Sequence, residues 1–243
     1  NIEIDKDNSS IGYYIQSNTM TVFFVVAVAA CTIGIIIWNM ITVKKDAVIF
    51  DICTEQQSIP SSVIFTSALS GFMLLTTGIY YISLFLRGDI FTIYDLVLAL
   101  LMMLSSMCFL YNSLFKIKKR TVLFSALYIF PVITIIYRLI TDFVKQKDYP
   151  TTSTTAFYII SLICLMLFLT YECKNSVKAA NTKLYVTMAL LSVMYLLIFA
   201  VPNLILSAFW LLELNEKILI SAIDIVFALY AFSKAYSVTN PTE

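Results

Sequence analysis

Histidine is missing from this chain altogether, and charge is scarce: only 13% of its 243 residues are Asp, Glu, Lys or Arg. Without imidazoles there is no His-based metal site, no His-containing catalytic triad and no zinc-protease helix motif. No Gly-rich phosphate loop occurs either. A soluble domain carries about 25% charged residues, so the composition argues against one. No segment between the apolar runs is long enough for a catalytic or signalling domain. Enzymatic chemistry, a metal, a cofactor and a nucleic-acid partner are therefore not expected.

What the chain has instead is apolar length. Hydrophobic residues make up 60% of it, and a membrane crossing needs roughly 20 of them in a row to cover about 30 Å of hydrocarbon. Seven runs qualify, approximately residues 20–43, 62–86, 91–115, 121–143, 154–172, 184–210 and 217–236. The expected fold is all-α, a polytopic membrane protein of seven transmembrane helices forming one transmembrane domain over 1–243. The lipid bilayer is its first partner.

The few charges orient it. Between runs, Lys44, Lys45, Lys116, Lys118, Lys119, Arg120, Lys174, Lys178, Lys183 and Lys234 fall on one side, and Lys6, Arg87, Lys145, Lys147 and Lys217 on the other. Lys/Arg excess marks the cytoplasmic side, so the N-terminus is expected outside and the C-terminus inside. Cys53 and Cys173 then lie on the reducing side and Cys31, Cys108 and Cys164 within spans, so no disulfide is expected. No basic leader with a cleavage site is visible. Asn8-Ser9-Ser10 is a formal glycosylation triplet of little weight. Residues 44–61 hold a weakly amphipathic run, Val48, Ile49, Phe50 and Ile52, expected on the inner surface, and Lys116 to Arg120 form a tight cytoplasmic hairpin.

Two apolar runs open alike, with Asp95-Leu-Val-Leu-Ala-Leu and Asp224-Ile-Val-Phe-Ala-Leu. Thr21-Val-Phe-Phe matches Thr155-Ala-Phe-Tyr, and Thr66-Ser-Ala-Leu matches Thr187-Met-Ala-Leu. Three blocks in the same order suggest a parallel 3+1+3 repeat. After an outer tail (1–19), the first three-helix half covers 20–115, a linker helix with its flanks 116–153, and the second half 154–238.

An acidic residue inside a span is costly unless it faces protein or water. At about 1.5 Å per residue, Asp95 lies about 6 Å past Phe91, Arg138 about 7.5 Å before Phe143 and Asp224 about 10 Å past Lys217. These three define one polar layer in the outer half, which Asp142 and Asn203 are placed to join. A bridge from Arg138 to Asp95, Asp224 or both is expected, because an unpaired buried charge is expensive. The bland alternative has Arg138 snorkelling to the surface beside Asp142. Pro131, near the middle of run four, and Pro202, in run six, are expected helix kinks. Tyr80, Tyr81, Tyr94 and Tyr137 either line the mouth of a pocket or form an interfacial aromatic belt. Ser67, Gly71 and Gly78, with Ala30 and Gly34, read as close helix packing.

This layout resembles the seven-span transporter and opsin group, which includes the SWEET and PQ-loop carriers and the microbial rhodopsins. Rhodopsins carry a retinal-binding Lys where this chain has Ala228, so the resemblance does not extend to a retinal pigment. PQ-loop carriers have Pro-Gln in spans one and five, and this chain has none. Gly12-Tyr13-Tyr14, Pro131 followed by Arg138, and Leu169-Thr-Tyr-Glu-Cys173 resemble uncharacterised seven-span proteins of low-GC Gram-positive bacteria and imply no activity. Tyr94-Asp95 resembles half of the intramembrane aspartyl protease site, but Asp224 follows Ala222-Ile223 rather than Gly-x-Gly, so such a protease is not expected.

The expected function is a membrane carrier for a small solute or ion, bound in the outer polar layer between the helix triplets. The rivals are a ligand-sensing receptor that signals through a cytoplasmic protein partner, and a structural membrane scaffold. A homo-oligomer is left open, and the expected location is a bacterial plasma membrane.

Overall fold

The computed structural model describes residues 19–43, 60–87, 92–114, 127–145, 153–176, 181–208 and 216–239. They form seven helices: α1 (Thr19–Thr42), α2 (Ser61–Arg87), α3 (Ile93–Leu114), α4 (Ile129–Lys145), α5 (Ser153–Ser176), α6 (Thr182–Ala208) and α7 (Glu216–Thr239). Six of these, all but α4, are long and apolar enough to cross a membrane. α4 has 17 residues, about 25 Å of helix. The N-terminal tail, the amphipathic run near Phe50, the Lys116 to Arg120 hairpin and the outer loop after α6 lie outside the described residues.

The long helices turn apolar side chains outward, as lipid-facing helices do. Phe23, Trp38, Phe65, Phe72, Met107 and Phe232 are all exposed. Inward faces follow the helical period: on α5, Tyr158, Ser161, Leu162, Leu165, Phe168, Leu169 and Glu172 make one buried stripe. Its polar members stand at the two ends and in the first turn between them.

α7 is the helix around which the others gather. It packs on α2 and α6, meets α3 through Phe109 against Phe227 and Tyr230, and is bonded to α4 and α5 by side chains. α1 sits at the periphery against α6. Asn39 of α1 donates to the carbonyl of Lys183 at 2.7 Å and to the Thr187 hydroxyl, and Lys183 Nζ donates to the carbonyl of Met40 at 2.9 Å. Thr32 and Tyr195 share a further bond at 2.9 Å. Polar contacts of this kind hold helices together where lipid offers no hydrophobic drive for association.

Small residues bring α2 and α3 close. A Cβ on Gly71 would lie 2.7 Å from Leu110 Cγ, and one on Gly78 would lie 2.8 Å from Met103 Cγ and 3.1 Å from the carbonyl of Ala99. Ser67 donates across the same seam to the carbonyl of Phe109 at 2.9 Å. The close packing expected of Ser67, Gly71 and Gly78 is present, but that of α1 is not: Gly34 has nothing within 4 Å of its would-be Cβ, and Ala30 is exposed. Small size alone does not say which way a residue faces. Gly71→Ala should therefore cost about 1–3 kcal/mol through overpacking, whereas Gly34→Ala should be neutral or stabilising by up to about 1 kcal/mol through helix propensity. Thermal melts of the two variants in one detergent check this pair.

Pro131 is the third residue of α4. Leu127 is helical as well and Tyr128 is a turn between it and α4, so the proline, which has no N–H to offer the carbonyl of Leu127, stands beside an interruption of the helical backbone. Pro202 lies inside α6, as expected.

Candidate functional site

Arg138 points inward from α4. Its side chain is 2% exposed, against 0% for its partner Asp224 on α7. The guanidinium grips this carboxylate with both ends of its fork, Nη1 to Oδ1 at 2.6 Å and Nη2 to Oδ2 at 2.7 Å. Two parallel charge-assisted bonds are the strongest arrangement open to an Arg–carboxylate pair. Burial on the Pro131, Thr134, Ile135 and Arg138 face of α4 excludes the snorkelling alternative.

The third Arg138 nitrogen, Nε, donates to the phenolic oxygen of Tyr158 on α5 at 2.9 Å. Because that oxygen accepts from Arg138, the Tyr158 O–H is left to donate, and it does so to Asp142 Oδ2 at 2.5 Å. Asp142 is only 3.9 Å from Nε directly, so its bond to the arginine runs mainly through the tyrosine. Its side chain is 25% exposed. The result is a continuous chain of bonds in which donation diverges from Arg138, through Tyr158 to the partly open Asp142 carboxylate on one side and directly to the closed Asp224 carboxylate on the other. Phe199 of α6 backs it, its ring 4.4 Å from that of Tyr158. Asn203 is buried one turn beyond Phe199 on α6.

Asp95 has a separate position and role. At the start of α3, its Oδ2 accepts from the backbone N–H of Thr92 at 3.0 Å and from the Thr92 hydroxyl at 2.7 Å. This is one half of a capping box, with the acid three residues into the helix reaching back to the capping residue, where the helix dipole also favours negative charge. The Arg138 bridge therefore goes to Asp224 and not to Asp95.

The four tyrosines do not converge on a common mouth. Tyr80 and Tyr94 are exposed, Tyr81 is buried in the main core, and the Tyr137 hydroxyl donates to the carbonyl of Tyr94 at 3.1 Å, tying α4 to the start of α3.

A second buried ion pair stands where the sequence reading placed a loop lysine. Lys234 lies on α7 ten residues past Asp224, about 15 Å along the helix, and is only 6% exposed. Its Nζ donates to Glu172 Oε1 of α5 at 2.6 Å, and the Tyr185 hydroxyl of α6 donates to Oε2 at 2.6 Å. The Tyr230 hydroxyl adds a long bond of 3.5 Å to Oε1. Lys234 belongs to the core because it continues the inward face of α7 through Phe227, Tyr230 and Ala231. The corresponding signal for Glu172 was its place seven residues past Leu165 on the buried stripe of α5.

Between the two pairs lies an aromatic layer. Phe109 packs 5.6 Å from Phe227 and edge-on at 5.2 Å to Tyr230, and Phe168 lies 6.1 Å from Tyr230 and 5.5 Å from Tyr185. α7 thus carries an anion at one level and a cation at another, each matched by a partner on a different helix, with apolar rings in between. Among the described residues no group of His, Cys, Asp or Glu is arranged to hold a metal ion.

No family model matches the chain, and neither a curated protein nor a solved structure matches it.

Proposed function

We propose that this chain is a membrane carrier for a small solute or ion and that the Arg138–Asp224 layer is where the solute is bound. The observation that carries the reading is the chain of bonds from Asp142, 25% exposed, to Asp224, fully buried. A polar route leading from the edge of the bundle to a charge pair on its central helix is what a coupled carrier needs. The Glu172–Lys234 pair, about 15 Å farther along α7, gives that helix a second polar fixing point, and the aromatic layer separates the two. In this reading α4 crosses as a seventh span, with the N-terminus outside and the C-terminus inside a bacterial plasma membrane. With Lys234 in the core, the positive excess falls by one and keeps its sign. α2 packs on α3 as α6 does on α7, whereas α1 packs on α6 and not on α2 as α5 does on α6, so the two related halves rest on the matching sequence blocks alone.

One observation favours the scaffold reading: all three Arg138 nitrogens already have protein partners. Flux separates the two. Purified protein in liposomes is expected to move at least one labelled compound from a panel of organic acids, sugars, amino acids, nucleosides and monovalent ions. Asp224→Asn is expected to abolish net flux. Absence of flux from the wild type across the whole panel would remove the carrier reading and leave the receptor and the scaffold.

A further inference from the structure

The occupancy of the Arg138 fork narrows the solute class. This inference rests on the carrier reading. Both oxygens of Asp224 are engaged by Nη1 and Nη2, and Nε is engaged by Tyr158. An incoming cation would have to share the Asp224 carboxylate with a guanidinium that does not lose its charge. A proton is the one cation that resolves this, because it neutralises Asp224 and frees the fork. The freed guanidinium, buried and without a counter-charge, then demands an anion. The group it holds in the resting structure is a carboxylate, and a second carboxylate presents the same two oxygens at the same spacing.

We propose that the solute is a small organic carboxylate carried together with one proton. The proton arriving with it is taken by an Oδ of Asp224, and the carboxylate of the solute replaces Asp224 on Nη1 and Nη2 of Arg138. On release the anion leaves the fork, the proton leaves Asp224 on the same side, and the ion pair closes again. No covalent bond to carbon forms or breaks, and the layer has the same formal charge empty and loaded, because one proton and one anion enter together.

The groups around Asp224 fit this exchange. α4 supplies Arg138 and Asp142, and α5 supplies Tyr158, whose O–H is committed to Asp142 and so holds the Nε end of the guanidinium in place while the fork changes partner. α2 brings Tyr81, which shares the main core with Ile223. On α3, Asp95 is engaged with Thr92, and the α6 residues nearest the layer, Phe199 and Asn203, do not titrate. Asp142 keeps its bond from Tyr158 through the exchange, whereas Asp224 gives up both of its arginine bonds, so Asp224 is the carboxylate that takes the proton.

Pyruvate, which stays ionised through the mildly acid range, serves as the probe, and ethylammonium chloride serves as the cationic control. In calorimetric titrations of the purified wild type, pyruvate should bind at acid pH and weaken about tenfold per pH unit above the Asp224 titration, the slope of a single linked proton. Asp224→Asn, a neutral stand-in for the protonated acid, should bind pyruvate with that slope lost, and Arg138→Gln should not bind it. Should the variants fail to fold, wild-type liposomes decide alone: an inward proton gradient should drive pyruvate accumulation that is insensitive to an imposed membrane potential. Binding of ethylammonium rather than pyruvate, or accumulation driven by potential alone, overturns this inference and leaves the carrier reading standing. Absence of flux for every compound in the wider panel removes both.

Discussion

Lys234→Met is expected to destabilise the folded chain by about 3–5 kcal/mol, because it leaves a carboxylate buried without its cation. Glu172 is 0% exposed, and the Tyr185 and Tyr230 hydroxyls at 2.6 and 3.5 Å would still face it. Neutral donors do not replace an ammonium at 2.6 Å, so protonation of Glu172 or local unfolding must follow. A lysine in a cytoplasmic loop would give a different number: exposed substitutions usually stay within about 0.5 kcal/mol. Unfolding in mild detergent, followed by denaturant or heat, separates the two by their size. Combining Lys234→Met with Glu172→Leu should recover most of the loss, since a buried ion pair is often replaced by apolar residues at no net cost.

The second large effect is expected at Arg138. Arg138→Met removes three bonds at once, those to Asp224 Oδ1 and Oδ2 and to Tyr158, and strands Asp224 at zero exposure. The expected loss is again about 3–5 kcal/mol. Tyr158→Phe keeps the ion pair and removes the bonds of the hydroxyl to Arg138 Nε and Asp142, so it should cost less, about 1–3 kcal/mol for the donor and acceptor left behind. That ordering, Arg138 well above Tyr158, follows from which contacts carry charge on both sides. A scan in which Tyr158→Phe melts as early as Arg138→Met would contradict it.

The Arg138–Asp224 pair was legible in the sequence because depth along a helix is simple arithmetic and a buried cation requires an anion at its own level. Asp95 passed the same arithmetic and yet has another role. Its signal was local: Thr92-Ile-Tyr-Asp95 forms the acid half of a capping box that opens α3, and such a contact at a helix start explains an acid there without a ligand. Tyr158 was invisible to charge counting, since a neutral hydroxyl in an apolar helix looks like any aromatic. Only the α4–α5 packing brings it between Arg138 and Asp142. Lys234 was misread, and Glu172 passed over, because they sit near helix ends, where charges usually belong to loops. Their place on the inward stripes of α5 and α7 carried the missing information, which rotation about the helix axis holds and depth does not. The bundle itself, built of long apolar helices, follows from composition, whereas the peripheral position of α1 depends on Asn39, Thr32 and the Met40 carbonyl finding partners on α6, a matter of tertiary geometry.

The most direct test of the Arg138–Asp224 layer as a working site is the variant Arg138→Met with Asp224→Leu, which removes both charges together. Its melting temperature should stay near that of the wild type, because the pair is replaced by apolar side chains without stranding either partner. In liposomes it should move no solute. A variant that folds and is silent locates function in the pair; one that folds and still transports at the wild-type rate would contradict the account.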